Sequence, residues 1–397
     1  MTAFLKRLVS QALSNLRKEV RPTNNIKKFA TEATIKTKPY KLHRLDTSPL
    51  TEVKVTKEEA KDYYKKMFIL RSLENATFTL AKANLIRGFC HIYSGEEAAA
   101  VGAYVVMTPE DLVASPYRIH GWAYLMGNSV LGVLAEMTAR TSACQRGKGG
   151  SMHMYHDRFF GGFGIVGSSV PVGTGLAFAL KYKGVKGVGW AIYGDGAANQ
   201  GQVFEAFNLA KLWNLPCLFY LENNGYGYST SIERAAANID FYTRGDLIPG
   251  IWVDGMDVIS VREAIKFARE FCLEGNGPIV VEAATYRYHG HSISDPGTTY
   301  RTREEIQAVR QQRDPITTFK ALILEKGLLI EEEIKSIETE VKTDVNEASE
   351  RAVKDPIINA SELTTDIYSE CLEPHIRNIT PFNPLQHKRL GRAINLK

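Results

Sequence analysis

The alternation of apolar and polar positions marks out most of the chain before any motif is considered. Residues 188–193, with Val188, Trp190, Ile192 and Tyr193, form an apolar run bounded by glycine, and residues 215–221 form a second. Runs of this length predict buried strands. Between them, from Ala197 on, Val203, Phe207 and Ala210 recur at helical spacing, which predicts strand, helix and a second strand parallel to the first. Residues 251–254 and 278–283 read as further strands, with a helix over 261–272 between them. A long helix is predicted over 57–84, with Tyr64, Met67, Phe68 and Leu70 among its buried positions; the polar segment 31–55 ahead of it, with Pro39 and Pro49, reads as an extended arm. Residues 85–157 mix short helices with glycine-rich loops, which commonly supply site residues. After Ser292 the chain turns to charged helices. Thr302 and Glu305 form a capping box ahead of one, and Ile334, Ile337, Val341 and Val345 give the apolar stripe of another. The segment 373–397 holds Pro374, Pro381 and Pro384 and ends in a basic tail. The fold class expected is α/β: a single parallel sheet with helices on both faces and a C-terminal helical extension.

Composition adds little until charge is divided along the chain. With 397 residues, 44% hydrophobic and 23% charged, the sequence is that of a globular protein with a large core. It has no apolar run of about 20 residues, so no membrane span is expected. The formal charge of +5 is carried by the first 30 residues, which hold seven Lys or Arg and one Glu; the remainder is near −1. A nucleic-acid partner is therefore not expected. In that leader Phe4, Leu5, Leu8, Val9, Ala12, Leu13 and Leu16 fall at helical spacing among Lys6, Arg7, Arg17 and Lys18. It resembles a mitochondrial presequence cleaved near residues 28–30, the other reading being a basic tail or an interfacial helix. Cys90, Cys144, Cys217, Cys272 and Cys371 are odd in number and lack C-x-x-C spacing, so neither a disulfide framework nor a zinc site is expected, and a reducing mitochondrial matrix suits them. The organisation expected is a presequence (1–30), an arm (31–56), a cofactor-binding domain (57–300) and a helical extension with its tail (301–397).

The first candidate chemistry lies where the strand at 188–193 meets its helix, at Gly194-Asp195-Gly196. Free N–H groups at a helix start favour an anion, and glycine lets backbone approach it closely. An aspartate there repels a bare phosphate unless a hard cation such as magnesium stands between them. Gly-Asp-Gly by itself is also an ordinary turn. The second strand, however, runs into Glu222-Asn223-Asn224-Gly225-Tyr226, and 26 residues separate Gly196 from Asn223. That is room for one helix and one strand, so the two carboxyl ends should lie side by side, where α/β folds bind ligands. An octahedral ion there could take the Asp195 carboxylate, the Asn224 amide oxygen, a carbonyl near Tyr226, two diphosphate oxygens and a water. Gly173-Thr174-Gly175 invites a competing nicotinamide reading, but Phe178 stands where the third glycine belongs and no acidic ribose ligand follows. Close helix packing, at a subunit interface or within the chain, is the reading adopted.

The GDG and NN pair at this interval resembles the diphosphate-binding motif of thiamine diphosphate enzymes. IRGFCHIYSGEEA from Ile86, YRIHG from Tyr117, GKGGSMHMY from Gly147, GFGIVGSSVPVGTG from Gly162, ERAAA from Glu233 and YRYHGHSISDPGTTYRTREEI from Tyr286 resemble the alpha subunits of mitochondrial 2-oxo acid dehydrogenase E1 components of the pyruvate type, over about residues 29–368. The resemblance implies a thiamine diphosphate-binding fold with Mg²⁺, in which Asp195, Asn224 and the Tyr226 carbonyl hold the metal. Tyr117, Arg118, Gly164, Val166, Asp195, Gly196, Ala197, Asn224, Tyr226 and His291 would bind the cofactor, and His91 and His291 would be catalytic histidines at the site entrance. Ser151 and His153 are weaker candidates for the pocket wall, and His289 is unassigned.

The same resemblance implies an α2β2 heterotetramer whose beta subunit supplies the carboxylate for the cofactor's pyrimidine ring. The reaction implied is oxidative decarboxylation of pyruvate with reductive acetylation of the lipoyl group of E2, feeding acetyl-CoA synthesis. A regulatory kinase and phosphatase would act at Ser292, Ser231 and Thr299; a phosphate on Ser292 adds about −1.5 to −2 charge beside Asp295 and the cofactor's own anion. Gly225, where Arg or His is frequent, and Phe163, where Asn is usual, depart from the pattern. Gly225 favours the branched-chain 2-oxo acid enzyme as an alternative, whereas the YHGHSISDPG loop argues for the pyruvate type. A nicotinamide-dependent oxidoreductase and a noncatalytic assembly subunit remain as more remote readings.

Overall fold

The polar arm ahead of the first helix is more than extended chain. In the computed structural model, which describes residues 30–86, 88–368 and 370 and the backbone of 375–376 and 385–386, it forms Glu32–Lys36 (β1), Lys41–His43 (β2) and Glu52–Thr56 (β3). β1 and β3 pair antiparallel. The reason is an alternation that the prolines obscured: Ile35, Val53 and Val55 turn inward and are buried, and their charged neighbours stay in water. Thr56 then caps Lys57–Lys82 (α1), its hydroxyl accepting from Glu59 N–H at 3.2 Å while the Glu59 carboxylate accepts from Thr56 N–H at 2.8 Å. Tyr64, Met67 and Leu70 are buried as expected, and Phe68 is half-buried. The presequence expected at 1–30, except for residue 30, and most of the basic tail lie outside the described residues.

The chain continues through Glu97–Tyr104 (α2), Leu112–Pro116 (β4), His120–Leu125 (α3), Val130–Met137 (α4), Phe159–Phe163 (β5) and Ser169–Tyr182 (α5). Then come Gly189–Gly194 (β6), Gly201–Leu212 (α6) and Cys217–Asn223 (β7), followed by a small hairpin of Tyr226–Gly227 (β8) with Thr230–Ser231 (β9). Gly250–Asp254 (β10), Val258–Leu273 (α7) and Ile279–Ala284 (β11) complete the sheet. Among the described residues it has seven strands in the order β2-β10-β11-β7-β6-β4-β5, parallel throughout except for β2 at the edge. Both faces are covered. Trp190 and Ile192 of β6 and Leu218 and Tyr220 of β7 face one core, while Ala191, Tyr193, Phe219 and Leu221 pack with Val203 and Phe207 of α6 on the other. That is why these strands read as unbroken apolar runs.

β4 lies in the stretch 85–157, expected to hold short helices and loops, and β5 follows just after that stretch. β5 follows β4 on one side and β6 returns on the other, so the connections diverge between β4 and β6 and open a crevice at their carboxyl ends, where α/β sheets bind ligands. The helix expected from Ala197 begins later. Ala197–Asn199 is one 3₁₀ turn, and Gln200, extended at ψ 137°, separates it from α6. The Gly-x-Gly segment lies inside α5 rather than at a strand-to-helix turn, and a Cβ on Gly173 would come within 2.6 Å of the Ala191 backbone. It is a packing device, which removes the nicotinamide reading's support.

Beyond the sheet, Thr302 caps Arg303–Arg313 (α8), but only half of the expected box forms: Thr302 Oγ accepts from Glu305 N–H, while the Glu305 carboxylate accepts from the Tyr286 hydroxyl at 2.8 Å. Pro315–Glu325 (α9) and Glu331–Lys354 (α10) follow. Ile334, Ile337, Val341 and Val345 are buried where α10 packs on α1 and α4. No helix among the described residues is long and apolar enough to cross a membrane. Cys90, Cys144, Cys217 and Cys272 are free thiols.

Candidate active site

Because β6 and β7 are parallel and Gly194 pairs with Glu222, the two motifs at their ends are neighbours. A cavity of about 290 Å³ opens there, lined among others by Tyr117, Arg118, Val166, Asp195, Gly196, Ala197, Asn224, Tyr226 and His291. Nine candidates taken from five separate stretches of sequence are thus brought together. Gly164 and His91 are not in its wall. Gly164 is exposed, with the His153 ring the nearest group to its open side, and His91 is buried behind Tyr117 and His291, at ring distances of 4.5 and 5.2 Å.

The glycines here are used for close approach. A Cβ on Gly196 would lie 3.1 Å from the Cα of Gly227, so the loop after β6 and the β8–β9 hairpin touch backbone to backbone. Asp195 is buried, and burial raises its carboxyl to about 6 against the opposing Arg287 charge and the Asn224 N–H. Asn224 donates from Nδ2 to Glu96 at 2.9 Å, which turns its Oδ1 the other way. Among the described residues no group of three or more His, Cys, Asp or Glu side chains is arranged to hold a metal. The donors present are one carboxylate, one amide oxygen and backbone carbonyls, all oxygen, which suits a hard cation completed by oxygens of its ligand.

Positive charge flanks the acid. Arg118 spends one N–H on the Ile92 carbonyl at 2.6 Å and one on the His291 carbonyl at 3.0 Å, leaving three of its five donors. Arg287, absent from the candidates, is buried in the wall and reaches the carbonyls of Tyr226, Tyr228 and His289 and the hydroxyl of Tyr300. Its signal is present in the YRYHGHSISDPG stretch, whose candidates are its histidines and hydroxyl residues and not its arginine. Glu96 and Glu222 were also missed. Both line the cavity, and burial first, then mutual repulsion for Glu222, raises their carboxyls. Glu222 further accepts from Tyr93 and, at 2.9 Å, from Trp122 Nε1.

The two histidines are neutral. Burial and then the Arg118 charge lower His91 to about 2 and His291 to about 3. The Nδ1 of each is buried without a hydrogen-bond partner among the described residues. In the loop that follows, Ser292 is only 5% exposed and meets Ser294 Oγ at 2.9 Å, whereas Thr299 is exposed and Ser231 half-buried. Asp295 draws the loop in, accepting from His291 N–H, Gly297 N–H and the Tyr300 hydroxyl. The segment is therefore partly core, not wholly a solvated loop. Ser151 and His153 do not reach the cavity: Ser151 bonds His120 Nε2 at 2.8 Å, and His153 Nδ1 bonds the Gly162 carbonyl. His289 instead packs against the Phe78 ring, tilted, at 5.1 Å between centroids.

Comparison with known proteins identifies the family. A sequence model of the dehydrogenase E1 component matches residues 65–361, and the chain belongs to that family. Within it the chain is 52% identical to mitochondrial pyruvate dehydrogenase E1 component subunit alpha type I of Ascaris suum, over 90% of each chain. It is 51% identical to the mitochondrial subunit alpha of Sminthopsis macroura (86% of this chain, 94% of that one) and 50% identical to the somatic form of Homo sapiens (86% and 87%). The resemblance to pyruvate-type alpha subunits is borne out, and the branched-chain alternative is not favoured.

Proposed function

We propose that this chain is the alpha half of a mitochondrial pyruvate dehydrogenase E1 enzyme, an α2β2 heterotetramer that decarboxylates pyruvate and reductively acetylates the lipoyl group of an E2 acetyltransferase, feeding acetyl-CoA synthesis. The observation that carries it is the meeting of Asp195, Asn224 and Tyr226 with His291 around one cavity at the divergence of β4 and β6. Thiamine diphosphate, the cofactor of this family, would supply the carbanion chemistry when bound. The glycine contact at Gly196 and Gly227, the all-oxygen donor set and the partnerless Nδ1 of His291 fit such a ligand.

In this reading Asp195, Asn224 and the Tyr226 carbonyl hold Mg²⁺, and Gly196 and Ala197 offer backbone to the diphosphate. Arg118, with its spare donors, and Arg287 balance the phosphate charge. Tyr117 shields that region from water, and Val166 with Gly164 meets the cofactor on the side that a beta subunit would close. His291, held uncharged, is free to donate or accept a proton at the mouth, and His91 backs it from behind. A kinase and a phosphatase would regulate the enzyme at Ser292, with Thr299 and Ser231 as further sites. The relatives are named mitochondrial, which supports a mitochondrial protein; the matrix is the compartment proposed, reached with the leader at 1–30.

The deciding experiment co-expresses the chain with a candidate beta subunit and compares pyruvate with branched-chain 2-oxo acids, adding cofactor and magnesium. Pyruvate turnover is expected from the complex and none from the chain alone. Preference for branched-chain substrates, or full turnover by the isolated chain, would overturn the reading.

A further inference from the structure

The hairpin beside the cavity carries an unusual residue at its tip. β8 and β9 are joined by the two-residue turn Tyr228-Ser229, and Tyr228, its first central residue, has φ +57°. Two-residue turns with a positive φ at that position normally use glycine, because a side chain there is strained. Here it is an aromatic ring, 54% exposed and part of the cavity wall. Strained backbone at the rim of a site persists where the side chain it presents has a task.

The ring's neighbour shows what the task is. Tyr228 stands edge-on to the His291 imidazole, with ring centroids 4.9 Å apart and planes at 85°. The imidazole meets two further rings, His91 at 5.2 Å and Tyr117 at 5.7 Å. Its Nδ1 has no hydrogen-bond partner among the described residues, so packing rather than hydrogen bonding orients the imidazole. Of those three rings, His91 is buried behind the wall and Tyr117 is half-buried in it. Tyr228 is the outer one, and Arg287 fixes its backbone by donating to its carbonyl at 3.1 Å.

We propose that Tyr228 is a positioning residue that holds His291 in its working rotamer from the solvent side, and that the left-handed turn is retained to place it there. This rests on the reading of His291 given above. Edge-on contact needs the ring and not the hydroxyl, so Phe should serve and Gly should not.

The test uses the complex assembled with its beta subunit. Tyr228→Phe should keep kcat within about twofold, whereas Tyr228→Gly should lower it on the order of tenfold, as small misplacements of a reacting group do. Thiamine diphosphate affinity should be unchanged in both, and the Gly variant should melt no lower than wild type because glycine relieves the turn. A crystal structure of the Gly variant should show the His291 imidazole displaced or in two rotamers. An unmoved imidazole, wild-type kcat in the Gly variant, or a loss of cofactor affinity or thermal stability matching the loss of kcat would each overturn the proposal. A wild-type complex inert toward pyruvate would instead sink the functional reading, while the rotamer measurement would still decide the role of Tyr228.

Discussion

Arg71 offers the sharpest test of how the C-terminal helices support the site. It lies in α1 and is nearly buried; its guanidinium grips the Glu97 carboxylate at the start of α2 through two nitrogens and reaches Asp314 Oδ2 at 3.0 Å. Asp314 in turn caps α9, accepting from the N–H groups of Ile316 and Thr317. The same guanidinium lies 5.0 Å from the centroid of the Tyr288 ring, where the loop carrying His291 begins. Replacing it by methionine in Arg71→Met keeps the bulk and leaves two buried carboxylates without their cation. Breaking a buried pair in this way costs about 3–5 kcal/mol. For a chain of 397 residues the entropy of unfolding is roughly 0.8 kcal/mol per degree, so the melting temperature should fall by about 4–6 °C. The pH dependence identifies the cause. Burial alone would raise the Asp314 carboxyl, but Arg71 holds it below the usual range. A group so depressed contributes stability that is complete above about pH 4 and is lost as pH falls through its folded value. In Arg71→Met that contribution is gone and Asp314 takes up a proton more readily. The deficit against wild type should therefore be full at pH 7 and shrink as pH is lowered through about 4. Calorimetry of both proteins across that range measures it; an unchanged melting temperature at pH 7, or a deficit that stays constant with pH, would falsify the ion-triad account.

The remaining predictions address the site. Asp195→Ala and Asn224→Ala should each abolish retention of thiamine diphosphate, since the diphosphate loses its bridging cation; normal affinity in either folded variant, by isothermal titration, counts against the metal assignment. Gly173→Ala should destabilise the chain by about 1–3 kcal/mol through overpacking against β6, and a melting temperature at or above that of wild type would show that α5 can move away freely. Ser292→Glu should reduce pyruvate turnover severely while the heterotetramer still assembles, and near-normal turnover at saturating cofactor would refute the switch.

What the sequence made legible, and what it hid, follows from the range of the interactions involved. Strands buried on both faces announce themselves as apolar runs, so β6, β7, β10 and β11 were readable. The α10 stripe was readable because helical spacing is local. β4 was not: Leu112–Pro116 is five residues long and ends in proline, yet it occupies the position that creates the crevice. The strand ends carrying Asp195 and Asn224 could be paired from spacing alone. Arg287, Glu96 and Glu222 could not, because each acts through partners supplied by other elements. Arg287 bonds carbonyls about 60 residues away in the chain, and Asn224 meets Glu96 across 128 positions.

The loop after β11 shows the limit most clearly. Its polar, turn-rich sequence gives no sign of burial, because composition reports hydration in the unfolded chain and not the hydrogen bonds that folding makes. Asp295 gathers two backbone N–H groups and the Tyr300 hydroxyl, while Arg301 donates to the carbonyls of Arg287 and His289. The polar groups that suggested exposure are the ones that fold the loop inward and bury Ser292. A kinase acting on Ser292 must therefore first release this network. A phosphate left beside Asp295 would then oppose its closure, since the phosphate and Asp295 are both anionic and Ser292 sits two residues from Ser294, its present partner. The burial that hides the hydroxyl is thus what would make its modification effective: a charge on an already exposed residue such as Thr299 has less packing to disrupt.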